Sequence, residues 1–200
     1  MTVEKRRYEK KRRAELEAET RRRITESAVE LHGSVGPART SISAVAERAG
    51  VRRSTVYRHF PDEAALFAAC SSHWAAANPT PDLARWSSIS DPEQRLQSAL
   101  GELYAFYRRT EGMLDNIHRD EHTVPVVKRL FGGFREYLSA ARETLVRGWP
   151  ARGRRREETR AAIGHALAFT TWRSLTREQG MDDARAAEMM GTLVAGVARR

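Results

Sequence analysis

Apolar residues recur at helical spacing along almost the whole 200-residue chain, and no stretch alternates with the period of two that a half-buried strand requires. Between residues 15 and 35, Ile24, Ala28, Leu31 and Val35 stand at i, i+4, i+7 and i+11, one face of a helix that Gly33 and Gly36-Pro37 bring to an end. Upstream, EKRRYEKKRRAELEAETRRR favours helix, with Glu17–Arg21 and Glu19–Arg23 as i,i+4 pairs, so that helix can extend backwards. Two short helices are expected at about 42–49 and 53–59 around a turn at Gly50, and a longer one at about 62–77. The segment NPTPDLARWSSISDP, residues 78–92, reads as a linker or seam. Helices follow at about 92–109, 111–121, 124–148, 156–179 and 182–198, with a break near Trp149-Pro150 and ARGRRR. The pattern predicts an all-α fold of about nine helices in three parts: an arm over residues 1–19, a small domain over 20–78 and a larger one over 79–200.

Charge sharpens this picture. Residues 1–60 hold 15 Lys/Arg against 8 Asp/Glu, whereas residues 61–200 hold 20 against 18, so most of the formal +9 belongs to the N-terminal part. A basic segment on a balanced chain fits a polyanion, because cations that neutralise phosphates release condensed counterions. The single cysteine, Cys70, excludes an intrachain disulfide and a cysteine-based metal cluster. The charged N-terminus lacks the apolar run of a signal peptide, and no stretch nears the roughly 20 apolar residues of a membrane span. The expectation is a soluble, cytoplasmic protein that makes no use of a membrane.

Residues 40–60, TSISAVAERAGVRRSTVYRHF, meet the requirements of a helix-turn-helix. Ser41 can cap the first helix, Gly50 can take the left-handed turn conformation, and Ala46 lets the second helix approach closely. Val45, Ala49, Val51, Val56 and Phe60 supply further apolar contacts. With these buried, the second helix presents Arg52, Arg53, Ser54, Thr55, Tyr57, Arg58 and His59, a set able to donate to phosphates and to base edges in a major groove. The alternative at this point is an ordinary basic αα-hairpin.

The run from Thr40 to Leu66, with AERAGV, STVYRHF and PDEAAL, resembles the DNA-binding domain of TetR-family transcriptional regulators, and the helix at 20–35 matches that family's first helix. TWRSLTREQG resembles sequences in the regulatory domains of some members. The resemblance implies that Arg53, Ser54, Tyr57 and His59 lie at the DNA face, that Thr40 and Tyr57 touch phosphates, and that a dimer binds a double-stranded operator. Two departures stand out. Arg52 replaces a helix-capping serine, and Glu63 replaces a lysine at the start of the fourth helix, where a carboxylate suits the helix dipole but repels a phosphate. The basic arm at 5–13 is a candidate to compensate.

In the larger domain, Leu96, Leu100, Leu103 and Tyr107 form one stripe, and Val127, Leu130, Phe131, Phe134, Tyr137, Leu138 and Ala141 form another. Such stripes are core by default. The resemblance implies in addition a pocket for an unknown small-molecule effector, drawn from Tyr104, Tyr107, Met113, Ile117, Phe131, Phe134, Phe169 and Trp172. Gly132-Gly133 inside a helix suggests space beside the chain. In the last two helices, Ala162, Ala166, Met189, Met190, Leu193 and Val197 are candidates for a four-helix homodimer interface, which the resemblance also implies.

Three other readings compete. His118, Glu121 and His122 match H-x-x-E-H, the spacing of a zinc-dependent enzyme, although Pro125 follows at once and the surroundings are polar. No nucleophile elbow, phosphate-binding loop or dinucleotide fingerprint occurs, so neither enzyme, cofactor nor metal is expected. A sequence-tolerant nucleoid-binding protein would use the basic arm alone, and a membrane-surface helix lacks apolar residues to bury.

Overall fold

The computed structural model describes residues 3–199, with side chains from Arg7 onward. In chain order the helices are α1 (Val3–Ser34), α2 (Ile42–Arg48), α3 (Arg53–His59), α4 (Glu63–Ala77), α5 (Leu83–Ser87), α6 (Pro92–Asp120), α7 (Pro125–Leu130), α8 (Gly132–Leu145), α9 (Arg154–Ala166), α10 (Phe169–Arg173) and α11 (Asp183–Arg199). The all-α expectation is borne out, and the described residues contain no strand. No described helix is long and apolar enough to cross a membrane. The chain divides into two compact units: residues up to Asn78 with Asp115–Leu130, and Pro79–Leu114 with residues from Phe131 onward.

In the first unit, α1 packs against α2 and α4, α2 against α3, and α4 against α7. The core gathers Ile24, Ala28, Ile42, Val45, Ala46, Ala49, Val56, Phe60, Leu66 and Cys70. Fully burying each of the larger side chains contributes about 1.5–3 kcal/mol. Helix α1 is unbroken over 32 residues. Its core face starts at Ile24; Val35, expected on that face, follows the last turn and is exposed. The expected pairs Glu17–Arg21 and Glu19–Arg23 give way to Arg13–Glu17 at 3.2 Å, Arg22–Glu19 at 2.7 Å and Arg22–Glu26 at 2.7 Å. Arg21 is drawn off instead to the backbone carbonyl of His59.

The end of α1 is held by the last turn of α6. The Asn116 amide donates to the carbonyls of His32 (3.0 Å) and Gly33 (2.8 Å), satisfying acceptors that a helix terminus leaves open. The Asp120 carboxylate accepts from the Ala38 backbone N–H at 2.9 Å. Gly36 takes φ +95°, and a Cβ there would collide with the Arg119 and Asp120 side chains, so only glycine fits the close approach.

In the second unit, Leu96, Ala99, Leu100, Leu103, Tyr104, Phe106 and Tyr107 of α6 are fully buried. Helix α8 packs on α5 and α9, and α9 packs on α11. Three boundaries differ from the pattern. The helices expected at 92–109 and 111–121 are one, because Leu114 continues the buried stripe of Leu103 and Tyr107 past the glycine at 112. The helix expected at 124–148 is broken at Phe131, where Gly132-Gly133 open α8, and a Cβ added at either glycine would meet nothing. The one expected at 156–179 splits into α9, α10 and a π-helical turn at Ser174–Glu178. The supposed linker contains α5, whose Trp86 is fully buried and donates its indole N–H to Glu102 at 3.2 Å.

Arg95, in the first turn of α6, is buried with no carboxylate. Its guanidinium donates to the carbonyls of Ile89 (2.7 Å), Ser90 (2.9 Å), Thr144 (3.3 Å) and Arg147 (2.8 Å). The last two close the C-terminal end of α8, whose orphan carbonyls carry partial negative charge.

Candidate nucleic-acid interface

Helix α3 is short, and its orientation is set by what lies behind it. Ser41 caps α2 by accepting from the Ala44 N–H at 3.1 Å. Gly50 makes the turn at φ +63°, with open space where a Cβ would be, so the constraint there is the backbone conformation. Asp62 caps α4 by accepting from the Ala65 N–H at 2.7 Å. With both neighbours held, Val56 (0% exposed) and Phe60 (1%) anchor α3 in the core.

The opposite face points outward. Arg52, Arg53, Ser54, Tyr57 and Arg58 are exposed and Thr55 is half-buried. Arg52, at the N-cap position, makes no side-chain capping bond. No ion pair to another described residue engages Arg52, Arg53 or Arg58, so these guanidiniums are available to an external anion. Glu63 stands in the first turn of α4 and is exposed.

Two of the sequence-predicted residues are more occupied. Thr40 is half-buried, and its hydroxyl donates to the Gly36 carbonyl at 2.8 Å, the proton a phosphate would otherwise take. His59 is half-buried, with Nε2 enclosed and without a partner. Burial, with the cations of Arg58 and Arg21, holds its pKa below the ordinary histidine value, so the ring is neutral near pH 7. Arg21, singled out in the sequence only as a partner for Glu17, lies beside them: its guanidinium donates to the His59 carbonyl and sits 4.1 Å from the Phe60 ring centroid. The 38-residue separation gave no local signal.

Residues 24–70 match the family model described as bacterial regulatory proteins, tetR family. Over that stretch the chain is similar to the tetR family of regulators. The match covers the helix-turn-helix and its flanks, the segment whose outward face carries Arg53, Ser54, Tyr57 and Arg58. No curated protein sequence matches the chain. Solved structures extend the likeness over most of its length at low identity. A TetR-like transcriptional regulator from Rhodococcus sp. RHA1 aligns with TM-score 0.66 and 18% identity, over 90% of this chain and 97% of its own. A protein from Mesorhizobium loti MAFF303099 assigned to the TetR family aligns with TM-score 0.64 and 20% identity, over 92% and 96%. The fatty acid degradation regulator FadR from Bacillus halodurans aligns with TM-score 0.55 and 15% identity, over 88% and 95%. At these identities the likeness establishes the fold alone.

The remaining candidates fall as follows. Tyr104 and Tyr107 are fully buried, and their hydroxyls donate to the carbonyls of Ala166 (2.9 Å) and Leu167 (2.6 Å) at the end of α9. Desolvation raises the Tyr104 pKa and, most of all, that of Tyr107. Around Tyr107 gather Phe134, Phe169 and Trp172, with ring centroids 5.4–6.4 Å away. Phe131 stacks obliquely on Phe134 at 5.3 Å, Met113 is half-buried on α6, and Ile117 lies on the part of α6 grouped with the first unit. A separate open groove of about 190 Å³ is lined by Arg135, Leu138, Ser139, Arg142, Gly164, Leu167 and Ala168, of which the sequence singled out only Leu138, as part of a core stripe.

Of the dimer candidates, Ala166 and Met190 are buried within the protomer, Ala162, Met189 and Val197 are half-buried, and Leu193 is 54% exposed. The H-x-x-E-H residues do not share a helical face: His118 is in the last turn of α6, whereas Glu121 and His122 follow it in a turn. No group of three or more potential metal-ligating side chains occurs among the described residues.

Proposed function

We propose that the chain is a cytoplasmic transcriptional repressor that binds a palindromic operator as a homodimer and is released by a small-molecule effector. The observation that carries the reading is the outer face of α3, where three guanidiniums, two hydroxyls and a tyrosine stand on a helix pinned from behind by Val56 and Phe60. A guanidinium at Arg53, the first residue of α3, suits bidentate contact with guanine, while Arg52, Arg58 and Tyr57 suit phosphates. A two-fold dimer sets its recognition helices about 34–36 Å apart and so reads an inverted repeat. The outward stripe Met189, Leu193 and Val197 on α11, beside Ala162 on α9, supports the dimer.

Effector release is supported by the course of α6. This helix carries Tyr104 and Tyr107, and the same helix continues to Asn116 and Asp120, which hold the end of α1 and Ala38. A ligand acts through its differential affinity for two states of that helix. Occupancy of the operator then excludes other proteins from the same DNA.

The test is selection of bound duplexes from a random DNA pool, followed by a screen for compounds that release the selected sequence. An inverted repeat bound about 10³-fold or more above unrelated duplex is expected. Equal affinity for unrelated duplex refutes the reading and favours the sequence-tolerant, nucleoid-type alternative.

A further inference from the structure

The N-terminal half of α1 is a helix with no packing partner in its own unit. The core face of α1 begins at Ile24 and Thr25, and every residue from Arg7 to Glu19 is exposed. Helical geometry shows which way the bare half faces. At 100° per residue, Arg7, Lys10, Lys11, Ala14, Ala18 and Arg21 fall within one arc of about 100°. Thr25, Ala28 and His32, all buried against the rest of the unit, lie in the same arc. The cationic stripe is therefore the continuation of the face that α1 turns towards α2 and α4. Arg21 is the last residue of the stripe to find a protein partner, the His59 carbonyl at the C-terminal end of α3.

From Arg21 back to Arg7 this face carries only cations and alanines. No carboxylate lies within the arc, and the nearest, Glu17, is bonded to Arg13 at 3.2 Å. Arg7 and Lys10 make no ion pair with another described residue, and Lys11 has only a loose, exposed contact with Glu15 at 3.9 Å. Ala14 and Ala18 leave the backbone of the arm open to close approach. From Arg7 to Arg21 the stripe runs about 21 Å, roughly six base pairs of duplex rise.

We infer that this stripe is a second DNA contact, lying along the phosphate backbone of the duplex that α3 enters. The inference rests on α3 being the groove-reading helix. The arm starts at the end of α3 and faces the side on which α3 lies, so a duplex engaged by α3 is the polyanion nearest to it. Its contacts are to phosphates and carry no sequence information; they set affinity and salt dependence, whereas α3 sets the sequence. They also supply cations that Glu63 does not provide at the start of α4.

The experiment uses the full chain and two triple variants that each remove three charges while keeping helix-favouring side chains. The front variant is Arg7→Gln, Lys10→Gln and Lys11→Gln. The back variant is Arg12→Gln, Arg13→Gln and Arg23→Gln, all outside that arc. Helical content by circular dichroism and oligomeric state by sedimentation are measured for both. The probes are the duplex selected from the random pool by the unaltered protein and a mixed-sequence duplex.

The front variant is expected to lower the slope of log K against log salt by about 2–3 on both probes and to weaken binding on the order of a hundred-fold at 0.1 M salt, with sequence preference retained. The back variant is expected to change the slope by less than half as much. An unchanged slope in the front variant, equal losses in both variants, or a front variant that changes oligomeric state instead would overturn the inference. Failure of α3 to read sequence is a separate result, since it leaves the unaltered protein with no selected duplex.

Discussion

Replacing Asp120 with alanine removes the carboxylate that ties the last turn of α6 to the Ala38 backbone, just ahead of the helix-turn-helix. The carboxylate is 4% exposed and accepts from the Ala38 N–H at 2.9 Å and from Arg119 at 2.8 Å. Without it the Ala38 N–H, on an exposed residue, loses its acceptor, which costs about 1 kcal/mol. The lost pairing with the half-exposed Arg119 adds less than about 1 kcal/mol. A total of about 1–2 kcal/mol corresponds to a fall in Tm of roughly 3–6 °C for a chain of this size. Asp120→Asn keeps an acceptor for Ala38 and should lose only about a third to a half of that. Thermal unfolding by circular dichroism at pH 7 reads both variants. Burial pushes the Asp120 pKa up, but the Arg119 and Ala38 donors outweigh it and hold the group below the ordinary carboxylate range. The stabilisation is therefore present above the unfolded pKa of about 3.9 and lost as pH falls through the lower folded value, so the gap between variant and unaltered protein should close in that acid window. An Asp120→Ala protein melting within about 1 °C of the unaltered one at pH 7 would refute the reasoning.

Three further outcomes are expected. His32 is 6% exposed and stacked on Phe67 at 4.7 Å, and burial lowers its pKa to about 4. The unfolded chain therefore takes up a proton first as pH drops below about 6.5, and stability falls by up to about 1.4 kcal/mol per pH unit towards pH 4; His32→Phe should flatten urea-unfolding stability over that window. Cys70 is 3% exposed with its thiol raised to about 12, so native protein should resist iodoacetamide at pH 8 and react once urea unfolds it; rapid labelling of folded protein would contradict the packing. Leu193→Glu places a charge on the exposed stripe of α11 and should shift sedimentation towards monomer while Tm of the monomer changes little; an unmoved dimer would locate the interface elsewhere.

The helix-turn-helix was legible in the sequence because its determinants are local. A capping serine, a turn glycine and apolar residues at helical spacing all fall within residues 40–60, and the structure uses Ser41, Gly50, Val56 and Phe60 in the expected ways. The buried stripe Leu96, Leu100, Leu103 and Tyr107 was legible for the same reason. Contacts between residues far apart were not. Nothing near Arg21 indicates that it leaves Glu17 for a carbonyl 38 residues away, and nothing near Trp86 marks one tryptophan in a polar run as fully buried. Glycine misled in both directions: the one at 112 is carried inside α6, whereas Gly132-Gly133 coincide with a break. Local cost was readable, but burial of the residues on either side decided the outcome.

The four carbonyls gathered by Arg95 govern how α6 can move. Two belong to the loop just before the helix and two to the end of α8, so the first turn of α6 is tethered both along the chain and sideways. A rod held at one end in this way can tilt about that point but cannot slide along its own axis. Displacement then grows with distance from the tether: tilting by a few degrees barely shifts Leu96, yet over the roughly 18 Å from Arg95 to Tyr107 it amounts to about an ångström. That is enough to lengthen a hydrogen bond past usefulness, so the bonds from Tyr104 and Tyr107 to the carbonyls of Ala166 and Leu167, at 2.9 and 2.6 Å, sit where a small angle is felt.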